Sequence, residues 1–296
     1  MTSTWTTADI PSQAGRTVVV TGANSGLGLT TARALAAAGA SVVLAVRDVG
    51  RGEQAAAGLP GSVEVRRLDL ADLSSVREFA AGWAGALDVL INNAGIMMVP
   101  FGRTADGFEL QFGTNHLGHF ALTNLLLPSI TERVVTLSSG LHRSGQIVLD
   151  DLNWDRRPYS ASGAYGQSKL ANLLFTLELQ RRLTVAGSAV RATAAHPGYA
   201  ATNLQGRSGN RLKDAAMAVG NRVVAVSGEQ GALPTLFAAV AEVPGGSYAG
   251  PDGPLMRGVP TLTGRSPAAS DADLARRLWT ASAEATGVDF PAQLPG

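Results

Sequence analysis

A phenol and an ammonium stand four residues apart in Tyr165-Gly-Gln-Ser-Lys169. On a helix that spacing puts both on one face. A free tyrosine holds its proton to about pH 10, too high for proton transfer near neutrality. A neighbouring cation favours the phenolate and lowers that value, and a general acid or base works best with a pKa near the working pH. The pair therefore reads as proton-transfer machinery, although Tyr-x-x-x-Lys by itself also arises by chance in many helices. Ser139 tips the balance, because it follows the apolar run Arg133 to Leu137 and open parallel sheets put their active sites at the carboxyl ends of strands. Its hydroxyl could donate to a substrate oxygen while Tyr165 exchanges the proton. Ser138 is the adjacent candidate, and either serine could be only a turn former.

A second constellation lies near the start of the chain, in Thr21-Gly22-Ala23-Asn24-Ser25-Gly26-Leu27-Gly28. Glycine at 22 permits a tight exit from a strand, glycine at 26 lets backbone amides approach a pyrophosphate, and glycine at 28 lets a helix pack on the sheet. The helix N-terminus behind it offers free N–H groups and a positive dipole end to an anion. No Lys-Ser or Lys-Thr follows, so a Walker A loop does not fit. The next strand ends at Val46-Arg47-Asp48, where a dinucleotide fold puts the adenosine ribose. A basic side chain there neutralises the 2′-phosphate of NADP, and an acidic one binds the 2′-hydroxyl of NAD. Arg47 favours NADP(H) over NAD(H); Asp48 could instead serve the ribose or pair with Arg47. Asp69 and Leu70 follow the third strand, where Asp69 could reach an adenine amino group or simply cap a turn. Asn92-Asn93-Ala94-Gly95 follows the fourth, with small and amide residues suited to lie against a cofactor ribose.

These residues need a scaffold that alternates strand and helix. The expected strands are Thr17 to Thr21, Ser41 to Val46, Val63 to Leu68, Leu87 to Ile91, Arg133 to Leu137, Ser188 to Ala195 and Gly246 to Ala249. The expected helices are Leu29 to Ala38 with Gly39 as C-cap, Asp72 to Trp83, a long one over Thr104 to Leu127, Tyr159 to Leu183, one opened by a capping box at Ser227 to Gln230 and running to Val240, and Asp271 to Ala285. Such alternation builds a mostly parallel, doubly wound α/β sheet covered on both faces. The whole chain, 1–296, reads as one domain, with residues 200–221 as a substrate lid and 250–296 as a C-terminal extension.

Composition agrees. Hydrophobic residues make up 45% of the 296 and charged ones 16%, with 35 glycines and a net charge of +1. That is ample for a large core, and nothing resembles a nucleic-acid-binding tail or a basic membrane patch. The absence of cysteine excludes disulfides and thiolate chemistry. No signal segment and no apolar stretch of about 18 residues is present, so the expectation is a cytoplasmic protein without a membrane anchor.

Taken together, the chain is similar to the short-chain dehydrogenase/reductase family. The match rests on the Thr21 to Gly28 turn, Asp69, Asn92 to Gly95, Asn115, Ser139, Tyr165, Lys169 and Pro197-Gly198, in that family's order over roughly residues 17 to 203. Asn115-His-Leu-Gly-His119, Tyr165 to Asn172 and Ala275 to Trp279 look most like its retinol-dehydrogenase-like branch. The resemblance implies Tyr165 as catalytic acid/base, Ser139 as the residue that polarises the carbonyl, Lys169 as binder of the nicotinamide ribose, and Asn115 as holder of a water linking Lys169 to solvent. It implies Pro197, Gly198, Tyr199 and Thr202 around the nicotinamide carboxamide, a small carbonyl or alcohol as substrate, and, by analogy only, a homo-oligomer. The segment His142 to Arg157, longer than in the simplest members, is expected to shape the pocket, and Met97, Met98, Val99 and Phe101 suggest that it leans apolar.

Other signals weigh less. His116 and His119 lack the accompanying ligands of a metal site, and none is expected. His142 could touch substrate or make a loop hydrogen bond. Asp150, Asp151 and Asp155 read as a solvated loop, and Leu278 and Trp279 as packing. The alternative to an oxidoreductase is a catalytically inactive NADP-binding regulator of the same fold, against which the intact Ser139, Tyr165 and Lys169 set argues.

Overall fold

In the computed structural model, which describes residues 5–198, 228–253 and 258–294, the β-branched runs become the strands of one sheet. Its order is β3-β2-β1-β4-β5-β6-β7-β8, with β1 Thr17–Thr21, β2 Ser41–Val46, β3 Val63–Arg67, β4 Leu87–Asn92, β5 Ile130–Leu137, β6 Arg191–Ala195, β7 Tyr248–Pro251 and β8 Pro260–Leu262. Strands β1 to β7 run parallel, and β8 closes the edge antiparallel to β7. Val18, Val19 and Val20 of β1 are all fully buried. A strand covered on both faces reads as a continuous apolar run rather than an alternating one.

The two faces have separate cores. Val18, Val20, Leu44 and Ile91 pack with Leu35 of α1 (Gly26–Ala37) and Leu236 of α7 (Gly228–Val240). Val19, Leu90 and Val134 pack with Val76 of α3 (Leu73–Ala81), Phe120 of α5 (Gly118–Leu126), Phe175 of α6 (Ala161–Val185) and Trp279 of α8 (Ala272–Thr286). Helix α6 touches both the sheet and α8. It is therefore buried on opposite sides and shows no clean amphipathic stripe. Between β1 and β4 the strand order reverses, and the strands' carboxyl ends part there to leave a crevice.

Several elements differ from expectation. Helix α2 (Val49–Ala56) was not anticipated, because Gly50 and Gly52 argue against helix. Gly52 is demanded by packing: a Cβ there would lie 2.6 Å from Val65 and 2.7 Å from Val46. The long helix expected from Thr104 begins only at Leu110. Gly107 takes a left-handed φ of 85° in a turn closed by Thr104 N–H to Phe108 O, and Glu109 caps the next helix. That helix is three consecutive pieces, α4 (Leu110–Phe112), a π turn (Gly113–Leu117) and α5. The short strand β8 was also missed. The segment expected as a lid, 200–221, lies outside the described residues, as does Ser227.

Candidate active site

The crevice holds a cleft of about 360 Å³, within the range of about 300–1,000 Å³ usual for small-molecule sites. A second cleft of about 490 Å³ opens at the opposite ends of β1 to β3. There Arg66 is already paired with Glu64 at 2.6 Å, and Asp88 accepts from Thr17 N–H and the Thr131 hydroxyl. The first cleft is where the chemistry-bearing residues gather.

Its nucleotide-like end is built largely from backbone. The chain leaves β1 with left-handed φ values of 65° at Gly22 and 57° at Gly26, conformations that glycine adopts without penalty. A Cβ on Gly28 would stand 2.5 Å from Asn93 Nδ2 and 2.7 Å from Gly22 O, whereas one on Gly26 would meet nothing. Gly28 is thus a packing glycine, and Gly26 leaves open space. Ser25, the N-cap of α1, makes no side-chain capping bond, unlike Asp48, Asp72, Ser160 and Asp271 on α2, α3, α6 and α8. Asn24, Ser25 and Leu27 line the cleft with these glycines. Opposite them, Asn93 and Ala94 donate their N–H groups to Thr21 Oγ1, each at 2.9 Å, and Asn93 Nδ2 donates to Thr21 O.

Arg47, Asp48 and Arg51 line the far end of this cleft. Asp48 does not pair with Arg47. Its Oδ1 accepts the Arg51 N–H at 3.0 Å as the N-cap of α2, and its other oxygen lies 4.0 Å from the Arg51 guanidinium. Arg51 is a cleft-lining residue missed in the sequence because α2 itself was missed. Asp69 and Leu70 also line the cleft, with Asp69 Oδ1 accepting from Ala71 N–H in a turn.

At the other end, Tyr165 and Lys169 share one face of α6 and are both buried. Lys169 Nζ sits 5.6 Å from the centre of the Tyr165 ring and donates to Leu137 O at 3.2 Å. Burial lowers the amine pKa to about 8. Burial also pushes the phenol up to about 12, against a lowering hydrogen bond from Ser139. This corrects the expectation of a net lowering by Lys169: desolvation wins, and the group that opposes it is Ser139. The two serines divide their duties. Ser138 donates its hydroxyl to Lys169 O at 2.8 Å and lines the cleft, while Ser139 Oγ accepts the Leu141 N–H and acts on the phenol by lowering its pKa.

Asn115 lies on the π turn, where Gly118 N–H reaches back five residues to Gly113 O. Its side chain clamps the loop after β4: Oδ1 accepts from Ile96 N–H at 2.8 Å, and Nδ2 donates to Ile96 O and Ser168 Oγ. A Cβ on Gly95 would stand 3.2 Å from Asn115 Oδ1 and 3.5 Å from Lys169 Nζ, so glycine lets this loop pass close to both. Pro197 lines the cleft, and Gly198, with φ 70°, donates to His196 Nδ1. Tyr199 and Thr202 lie outside the described residues. Ile96 and Thr114 line the cleft without having been singled out in the sequence.

The minor signals resolve as structure. His142 is buried and binds Ser139 O and Ser266 N–H, the loop role. Asp151 is 7% exposed and not simply solvated; it accepts from Asp155 and Arg156 N–H and pairs with Arg157 at 3.3 Å. Trp279 is packing, 4.8 Å from Phe120 between ring centres. In the apolar loop Met98 holds a φ of 52° with its N–H on Gln111 Oε1, while Phe101 is 47% exposed. Among the described residues there is no metal-ligand cluster and no helix long and apolar enough to cross a membrane.

Comparison with known proteins agrees with this geometry. The profile of the short chain dehydrogenase family matches residues 16–213. The chain is 44% identical to retinol dehydrogenase 13 of Homo sapiens, over 94% of this chain and 86% of that protein. It is 40% identical to polyprenol dehydrogenase of Mus musculus with the same coverage of each. The crystal structure of an uncharacterized protein from Mycobacterium Paratuberculosis superposes with a TM-score of 0.87 at 56% identity, covering 98% of this chain and all of that one.

Proposed function

Because this chain belongs to the short-chain dehydrogenase family, among its retinol-dehydrogenase-like members, we propose that it moves hydride between NADP(H) and the carbonyl or alcohol carbon of a small apolar substrate. The observation that carries the reading is one cleft lined at one end by Arg47 and Arg51 and at the other by Tyr165 and Lys169.

The residues fit such a cofactor. The uncapped N-terminus of α1, with open space at Gly26, suits a pyrophosphate. Arg47 and Arg51 suit a 2′-phosphate, and Asp48, engaged as a helix cap, leaves the ribose end net basic. Asp69, Leu70, Asn93, Ala94 and Gly95 would flank the adenosine and ribose, and Lys169 and Pro197, with Gly198, the nicotinamide half. NADPH, when bound, supplies the hydride.

In the reducing direction Tyr165 gives its phenolic proton to the carbonyl oxygen as charge develops there. Ser139 Oγ, whose lone pair already takes the Leu141 N–H, keeps its own proton to donate to that oxygen. A phenol pushed up by burial is a reluctant acid. The ammonium of Lys169, 5.6 Å from its ring centre, stabilises the phenolate left behind, and a water held by Asn115 would link Lys169 to solvent for the proton's return. The names of the retinol and polyprenol dehydrogenases, together with the Met97–Phe101 loop, support an apolar alcohol or its aldehyde as substrate.

The test is fluorescence titration with NADPH and NADH, followed by turnover on apolar aldehydes of increasing chain length. NADPH should bind at least tenfold more tightly, about 1.4 kcal/mol, and turnover should rise with chain length. Equal affinities would remove the phosphate role of Arg47, and a preference for sugars or hydroxy acids would remove the apolar substrate.

A further inference from the structure

His119 has no role in the proton transfer described above, yet it is fully enclosed and touches both halves of the cleft. Its Nε2 lies 2.9 Å from Thr21 Oγ1 and its Nδ1 lies 3.0 Å from the backbone carbonyl of Asn115. Counting donors fixes what the ring must be. Thr21 Oγ1 already accepts two N–H groups, from Asn93 and Ala94 at 2.9 Å each. A hydroxyl has two acceptor lone pairs and one proton. Its proton must therefore go outward, and His119 Nε2 is nearer than the other acceptor, Ile91 O at 3.4 Å. A protonated Nε2 would be a third donor on a filled oxygen. The ring is then neutral, with its proton on Nδ1, where it meets the Asn115 carbonyl.

We propose that His119 is a positioning residue that ties the cofactor cradle to the proton-transfer apparatus, carrying one directional hydrogen-bond chain from Thr21 Oγ1 through the ring to the Asn115 carbonyl. One end of the chain holds the Asn93–Ala94 backbone against β1. The other holds the π turn whose Asn115 side chain clamps Ile96 and Ser168, one residue before Lys169. Movement of the cradle is thereby transmitted to the setting of the ammonium. Burial keeps the ring neutral, lowering its pKa to about 4, with Lys169 close enough to lower it further. The functional consequence rests on the oxidoreductase reading; the tautomer and the link do not.

The chain contains four histidines and two lysines, so 15N-histidine and 13C-lysine labelling gives NMR spectra of a few lines from the full cofactor-free protein. The His119 ring should show a protonated Nδ1 and a bare Nε2 at neutral pH. Replacing the polar ring in His119→Leu deepens the desolvation of Lys169, so the Lys169 midpoint should fall by about half a pH unit or more. His119→Gln, which again offers a donor and an acceptor, should restore most of that shift and the NADPH affinity that His119→Leu loses. A ring protonated at Nε2 in the wild-type protein overturns the proposal, and so does an unmoved Lys169 midpoint in a folded His119→Leu. If the leucine variant does not fold, the wild-type tautomer and the Lys169 midpoint in His119→Gln, near the wild-type value or not, decide it. Failure of the wild-type protein to bind either nucleotide would instead sink the oxidoreductase reading, while the cofactor-free spectra still judge His119.

Discussion

The two ends of the cleft are made differently. The cradle end is backbone: left-handed glycines, an uncapped helix N-terminus and an exposed Arg47. The reactive end is side chain: Tyr165, Lys169 and Asn115 are enclosed by α6, β5 and the π turn. Backbone recognition tolerates few substitutions, because a single Cβ collides, but it leaves ordinary ionisation untouched. Side-chain chemistry in an enclosed site is governed by desolvation, which moves the phenol and the ammonium in opposite directions. One end should therefore fail sterically and the other electrostatically.

The largest effect expected separates the ends cleanly. Tyr165→Phe should lower kcat by about 10³-fold, within the range for loss of a positioned acid, and leave the NADPH Kd nearly unchanged. Substantial residual turnover would move the acid elsewhere. At the cradle, Gly28→Ala should do the reverse. Its Cβ would stand 2.7 Å from the Gly22 backbone carbonyl, so the turn must shift. The expected cost is about 1–3 kcal/mol of stability, read as a lower denaturation midpoint, together with weakened binding of both NADPH and NADH. Arg47→Ala should be milder and selective, weakening NADPH by about tenfold with little change for NADH. Equal loss for both nucleotides would mean that Arg47 acts on a shared part of the cofactor.

The smallest effect at neutral pH belongs to the buried histidines. His116 is lowered to about 3 and His119 to about 4, mainly by burial. An unfolded chain takes up protons on these rings below about pH 6.5, but the folded one does not until near pH 4. Their contribution is thus present above pH 6.5 and is lost as pH falls toward 4, by a few kcal/mol per ring at most, to order of magnitude. Urea denaturation between pH 7 and 5 should show the decline. His116→Gln should flatten it, since His116 bridges Asn172 and Ser282 rather than facing the cleft.

Much of this was legible beforehand where a residue's own backbone demands dictate its type. Gly22 and Gly26 sit at left-handed φ, and the valines of β1 are buried on both faces, so turn and strand announced themselves. Tyr165 and Lys169 were found by spacing on a helix. Reading failed where a contact that composition does not display overrode local preference. Gly52 permits a helix only because Val46 and Val65 approach it, so α2 and with it Arg51 went unseen. The helix start at Leu110 depends on Gly107 and the Glu109 cap. The partners of Asp48 and Asp151 are backbone amides that composition does not display.

The amino-acid sequence by itself determined the alternating architecture, the glycine turn, and which phenol and amine would share one helix face, because strand burial, glycine conformation and helical spacing are local properties. Only the tertiary structure decided that Ser138 and Ser139 take different partners, that Asp48 caps a helix instead of meeting Arg47, and that His119 joins Thr21 to Asn115. Desolvation and hydrogen-bond direction depend on everything that encloses a group: Thr21 reaches His119 and Lys169 reaches Ser138 from distant segments, while the near partners of Asp48 and Ser139 are backbone amides whose direction the path of the chain sets.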